Sequence, residues 1–243
     1  MNLLEIKENK NLKMEFSGMD HPDLCVNKEH FKNYNKTVSY EYNAQGFRDK
    51  EWPTDLKNKI WCIGDSFTVG LGQPAEETWP ALLEKELNER CINISQDGCS
   101  NDLIAARAKQ VIEKFQPTAV IIMWSYFWRR FINGKNVHYD AGQRELPSDD
   151  IDNFLKNLFA VNESFKRIIN LTIPDCFIED SSTRFNILKV KNKKNLKKVL
   201  NFVSDRTIPD IIEIEQVDYA RDGRHFDILT SQHIVKQILK NFQ

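Results

Sequence analysis

From residue 58 onward the chain alternates short apolar runs with amphipathic stretches, the pattern of a sheet whose strands are joined by helices. Ile60-Trp61-Cys62-Ile63 is the first run, Cys91-Ile92-Asn93-Ile94 the second, and Ala119-Val120-Ile121-Ile122-Met123-Trp124 the third. The third is apolar throughout, which predicts a central strand covered on both faces. Residues 167–172 and 211–214 predict strands four and five, with a short extra strand near 185–188. Between the runs, apolar residues return at helical spacing. The faces are Trp79, Leu82, Leu83 and Leu87; Leu103, Ile104, Val111, Ile112 and Phe115; and Ile151, Phe154, Leu155 and Leu158. Leu196, Val199, Leu200 and Val203 predict a fourth helix, and Ile234, Val235, Ile238 and Leu239 the last. Thr78 as cap and Pro80 in the first turn start the first of these helices, and Pro117 follows the end of the second. Residues 125–147 show neither period and predict a long loop rich in aromatics and arginine.

Strands and helices in this order, with right-handed crossovers, predict an α/β fold. The expected form is a doubly wound parallel sheet in a three-layer α/β/α sandwich. Residues 1–57 are polar, rich in Asn, Lys and Tyr, and lack a sustained helical period. They predict an N-terminal extension packed on or near a domain spanning 58–243.

In such a sheet ligands sit beyond the carboxyl ends of the strands. Two segments with reactive chemistry fall there. Gly64-Asp65-Ser66-Phe67-Thr68-Val69-Gly70 follows strand one, and Asp222-Gly223-Arg224-His225 follows strand five. A serine hydroxyl needs a base to become a nucleophile, and imidazole is the usual one. The imidazole needs an acceptor on its other nitrogen to fix its tautomer. An Asp three residues before the His supplies it from one loop, and no other His in the chain has that neighbour. Asp227, two residues after His225, is the rival for this role. His21, His30, His138 and His233 read as surface or structural residues, and Asp65 as a cap. Ser66, at a strand-to-helix junction, lies beside backbone N–H groups that can face an oxyanion. Gly98, after strand two, lets a second N–H approach the same point.

GDSFTVG after an apolar strand, Gly98 after the second strand and a late D-x-x-H before the final helix resemble the SGNH, or GDSL-type, hydrolases. The resemblance runs from about Lys59 to the C-terminus, and the segment 42–48 also resembles a lead-in found in some members. It implies a flavodoxin-like α/β/α fold, Ser66 as nucleophile, Asp222 and His225 as its partners, and an oxyanion hole built on the N–H groups of Ser66 and Gly98. It implies ester chemistry on lipids, thioesters or sugars. One block departs from the family pattern. Where the family places G-x-N-D, this chain reads Ser125-Tyr126-Phe127-Trp128, with Tyr126 at the position of the oxyanion-binding Asn. Tyr126 is the expected replacement donor, ahead of Asn101. Tyr126, Trp128 and Arg129 are expected to line the substrate wall.

Composition adds limits. The chain has 243 residues, 41% hydrophobic and 28% charged, enough for one large domain with a core. A net charge of −1 gives no field to draw nucleic acid. Five cysteines, an odd number without metal-ligand spacing, predict free thiols and no metal. The proposed chemistry needs no cofactor. No run approaches the roughly 20 apolar residues of a membrane span, and the first residues lack a signal-length apolar run, so a cytoplasmic protein is expected. Lys189, Lys191, Lys193, Lys194, Lys197 and Lys198 read as a solvated helix face. The expected function is hydrolysis of a small-acyl carboxylic ester on a small molecule, glycan or lipid. The alternatives are an acyltransferase using the same three residues and a non-catalytic binding module on the same fold.

Overall fold

The structure is a computed structural model, and it describes residues 2–138, 148–174, 196, 200–201 and 204–242. In chain order the elements are β1 (Lys13–Met14), α1 (Lys28–Asn33), β2 (Tyr40–Glu41), β3 (Ile60–Ile63), α2 (Ser66–Val69) and α3 (Trp79–Leu87). Then come β4 (Cys91–Asn93), α4 (Asn101–Phe115), β5 (Ala119–Trp124), β6 (Arg129–Ile132) and β7 (Lys135–His138). The last four are α5 (Ser148–Asn162), β8 (Ile168–Thr172), β9 (Ile211–Glu213) and α6 (Ile228–Phe242).

Five strands form one parallel sheet in the order β4-β3-β5-β8-β9. Counted by appearance this is 2-1-3-4-5, the flavodoxin-like winding. β5 sits in the middle with all six residues buried, which is why its sequence carries no polar alternation. Helices α3 and α6 pack together, as do α4 and α5, giving the three-layer α/β/α sandwich. The topological switch lies between β3 and β5, whose carboxyl ends carry Gly64 and Ser125.

Three local expectations change. Residues 125–147 are not one loop: β6 and β7 form an antiparallel hairpin. Its turn is Asn133-Gly134, both at positive φ (51° and 80°), the pair that a tight hairpin turn favours. The flanking residues are too polar to alternate cleanly, so the strands were masked in the pattern. Thr78 starts α3 as expected, but its hydroxyl donates to the Ala75 carbonyl at 2.8 Å and caps no helix N–H. Leu82 and Leu87 are half-buried beneath the face that Trp79 and Leu83 bury. Leu196 and Leu200 are helical and buried, while Val199, Val203, the extra strand near 185–188 and the lysine run lie outside the described residues.

Residues 2–57 add little regular structure but share the core: Leu4, Ile6 and Phe47 belong to the same apolar cluster as the sheet. Cys25, Cys62, Cys91 and Cys99 are free thiols. Among the described residues, no helix is long and apolar enough to cross a membrane, and no group of His, Cys, Asp or Glu is placed to hold a metal ion.

Candidate functional site

β3 ends against a turn that only glycine can make. A Cβ on Gly64 would stand 2.2 Å from Thr68 Oγ1 and 3.1 Å from the Met123 carbonyl. Asp65 then caps the single turn of α2, accepting from the Phe67 N–H at 3.1 Å. Gly70, left-handed at φ 76°, closes the turn. Ser66 is its first residue and is 2% exposed. Among the described residues no acceptor meets the N–H of Ser66.

The second half comes from the loop between β9 and α6. Asp222 shapes that loop with one carboxylate oxygen, Oδ1, which accepts from the N–H of Arg224 at 2.9 Å and of His225 at 3.0 Å. Its other oxygen, Oδ2, bonds to Nδ1 of His225. Nε2 of His225 lies 2.9 Å from Ser66 Oγ. The Gln216 amide donates to the carbonyls of Arg224 and His225, both at 2.9 Å, and holds the loop from behind. The Phe67 ring lies 4.5 Å from the imidazole, centroid to centroid, and limits its rotation. Burial pushes the Asp222 carboxyl up, but its bonds to His225 and to backbone N–H groups outweigh that and hold it below the usual carboxylate range. A hydroxyl, an imidazole and a carboxylate in this order can pass the hydroxyl proton to the ring and keep the resulting cation paired. Asp227 faces elsewhere: it accepts from the Tyr34 hydroxyl at 3.1 Å and from the Lys36 ammonium at 2.8 Å.

Gly98 lies in the turn before α4 at φ 68°, and among the described residues its N–H also meets no acceptor. It lines a cavity of about 400 Å³ with Ile6, Arg107, Phe131 and Asn136 among the other walls.

The segment after β5 departs from expectation. Asn101 makes no free donor: its amide donates to the carbonyls of Ser125 (3.1 Å) and Tyr126 (3.4 Å) and accepts from the Ser125 N–H at 2.8 Å. It pins the backbone there. Arg129 turns inward, 8% exposed, and its guanidinium donates to Asp65 Oδ2 at 2.7 Å and to Ser125 Oγ at 2.8 Å. The Ser125 hydroxyl donates to the same Asp65 oxygen at 2.6 Å. Arg129 therefore anchors the turn that carries Ser66, and Asp65 is more than a cap. Tyr126 is buried with its ring between Trp128, stacked at 4.4 Å, and the Arg129 cation at 4.8 Å. It also meets Phe67 edge-on at 6.4 Å. Its hydroxyl accepts from Arg224 at 3.5 Å and keeps its own proton to give.

Sequence reasoning missed the braces. Arg48 is buried and donates to the carbonyls of Gly70 (2.5 Å), Gln73 (2.9 Å) and Ser39 (2.7 Å), behind the nucleophile's turn. Arg221 donates to both oxygens of Asp20 at 2.9 and 2.7 Å, and its N–H donates to the Gly72 carbonyl at 2.9 Å. Tyr40 donates to Asp20 at 2.6 Å and accepts from the Gly72 N–H at 2.8 Å. These contacts tie the first 57 residues to both halves of the site. These partners lie from 9 to 201 positions apart, and no helical or strand spacing links them, so nothing in the pattern announced them.

No family model matches the sequence, and no curated protein matches it. Solved structures do. A protein named TesA superposes with a TM-score of 0.50 at 16% identity, over 76% of this chain and 98% of that one. A carbohydrate esterase, described as having divergent catalytic and non-catalytic binding functions in its active site, superposes with a TM-score of 0.50 at 14% identity. That match spans 86% of this chain and 69% of the other. What is shared is the fold, the three-layer α/β/α sandwich around a parallel sheet.

Proposed function

We propose that this chain, built on the SGNH-hydrolase fold, hydrolyses carboxylic esters through an acyl-enzyme on Ser66. One observation carries the reading: Nε2 of His225 stands 2.9 Å from Ser66 Oγ while Nδ1 is bonded to the buried Asp222. His225 takes the hydroxyl proton as Oγ attacks the ester carbonyl. The oxyanion is received by the N–H groups of Ser66 and Gly98, which hold no other acceptor among the described residues. Collapse expels the alcohol, which takes the proton from His225. Water, deprotonated by the same ring, then attacks the acyl-enzyme, releases the acid and restores the serine. We assign Tyr126 as the third donor, because its hydroxyl proton is uncommitted and its ring borders Phe67, the residue beside the nucleophile. The carbohydrate-esterase neighbour favours a sugar as the carrier of the ester. The stacked pair Tyr126 and Trp128 is suited to the apolar face of such a group. Residues 1–57 serve in this reading as an extension that braces the site.

The test is a burst of para-nitrophenol from para-nitrophenyl acetate, together with labelling by a serine-directed phosphonate. Wild type is expected to show both, with the phosphonate mapped to Ser66 by mass spectrometry, and Ser66→Ala neither. A wild type that neither turns over nor labels overturns the reading and leaves a binding module on the same fold.

A further inference from the structure

Arg224 stands between Asp222 and His225 in sequence and differs from the other arginines near the site. Arg90, Arg129, Arg130 and Arg221 each hold a carboxylate, and Arg48 and Arg107 are buried against backbone carbonyls. Arg224 is exposed and, among the described residues, pairs with no carboxylate. Its sole side-chain partner is the Tyr126 hydroxyl, at 3.5 Å, a weak bond to a neutral acceptor. Its backbone is held on both sides: the N–H donates to Asp222 Oδ1 at 2.9 Å, and the carbonyl accepts from Gln216 at 2.9 Å. The loop therefore presents an unneutralised guanidinium at the rim of the site, beside the ring that borders Phe67 and the nucleophile.

We infer that Arg224 receives a carboxylate on the substrate, so that the preferred esters are anionic. This rests on the ester-hydrolase reading for the reaction, but not for the binding. A guanidinium fork matches a carboxylate in shape and donors. One fork supplies one positive charge, which suits a carboxylate better than a phosphate dianion. The rest of the rim is aromatic, from Tyr126 and Trp128, so the carboxylate is expected on a compact or ring-bearing ester. The same charge at the mouth disfavours cationic substrates.

Two pairs of esters test the charge on either side of the scissile bond. Para-acetoxybenzoate against its methyl ester places the carboxylate on the alcohol. The para-nitrophenyl monoester of adipate against para-nitrophenyl hexanoate places it on the acyl group. In wild type the anionic member of one pair is expected to have the higher kcat/KM, and the pair that shows it identifies the side. Arg224→Gln is expected to lower that anionic-to-neutral ratio about tenfold, mainly through KM, the worth of one charge-assisted hydrogen bond. Arg224→Lys is expected to recover part of it. Ratios that do not move in Arg224→Gln overturn the inference. Titration calorimetry with para-hydroxybenzoate reads the site without catalysis. Binding retained in Ser66→Ala and lost in Arg224→Gln supports the anion site even if no ester is hydrolysed, and binding absent or equal in all three proteins overturns it.

Discussion

The turn that leaves β3 and the segment that leaves β5 lie side by side at the carboxyl edge of the sheet, and they reach their shapes by different routes. The first is local. Gly64 permits the exit, Asp65 caps the turn, and Gly70 ends it, all within seven residues. The second is held from outside. Asn101 on α4 grips its backbone, and Asp65 on the neighbouring turn holds Ser125 and Arg129. Where hydrogen bonds are local, a motif in the sequence announces the geometry. Where they are long-range, as between Arg129 and Asp65, no motif marks the partners. The two regions also differ in chemistry. The first carries a hydroxyl 2.9 Å from the His225 imidazole, and the second carries the Tyr126 hydroxyl that we propose as the third oxyanion donor.

Cutting the link between the two regions is expected to cost most. Arg129→Met leaves the Asp65 carboxylate buried without its cation, and losing one partner of a buried pair costs about 3–5 kcal/mol. Chemical denaturation should show that loss, with a lower kcat as the nucleophile's turn loosens. A loss under about 1 kcal/mol, the range of an exposed pair, would mean that the first region stands without the second.

Tyr126→Phe sharpens the comparison on the chemical side. Removing one oxyanion donor lowers kcat by ~10²-fold at little change in KM. The ring packing with Trp128 and Phe67 is kept in this variant, so stability should hold. An unchanged kcat would leave the oxyanion to the two backbone N–H groups and reduce the second region to scaffolding.

The smallest effect is a pH dependence confined to the site. The Asp222 carboxyl is held below its ordinary range, so the stability it contributes is present above about pH 4, the unfolded carboxyl value, and is lost as pH falls further. The thermal midpoint of wild type minus that of Asp222→Asn should therefore narrow on acidification from about pH 6 to about pH 3. A gap that stays constant would show that the carboxylate's charge contributes nothing to holding His225.

Much of this molecule was legible one residue at a time. Continuous apolar runs marked β3 and β5 because buried parallel strands leave no polar face to alternate with. Helical spacing marked α3, α4, α5 and α6, and their alternation with strands led to the doubly wound, three-layer class. Gly64-Asp65-Ser66 and Asp222-x-x-His225 were legible because each depends on bonds within a few residues of itself. The hairpin of β6 and β7 escaped, although Asn133-Gly134 is a turn signal, because polar strands on an exposed edge carry little pattern.

The sequence by itself determined the strands and helices, the doubly wound class and the two loops that carry Ser66 and His225, since burial and local hydrogen bonds act over short spans of chain. Tertiary structure alone decided what joins them. It brought His225 to Ser66 across 159 positions and assigned Arg129 to Asp65. It also placed Arg48, Tyr40 and Arg221 behind the site and, among the described residues, left Arg224 without a carboxylate. The reason is that a charged side chain takes its partner from whatever the fold places within a few ångströms, and sequence separation sets no limit on that.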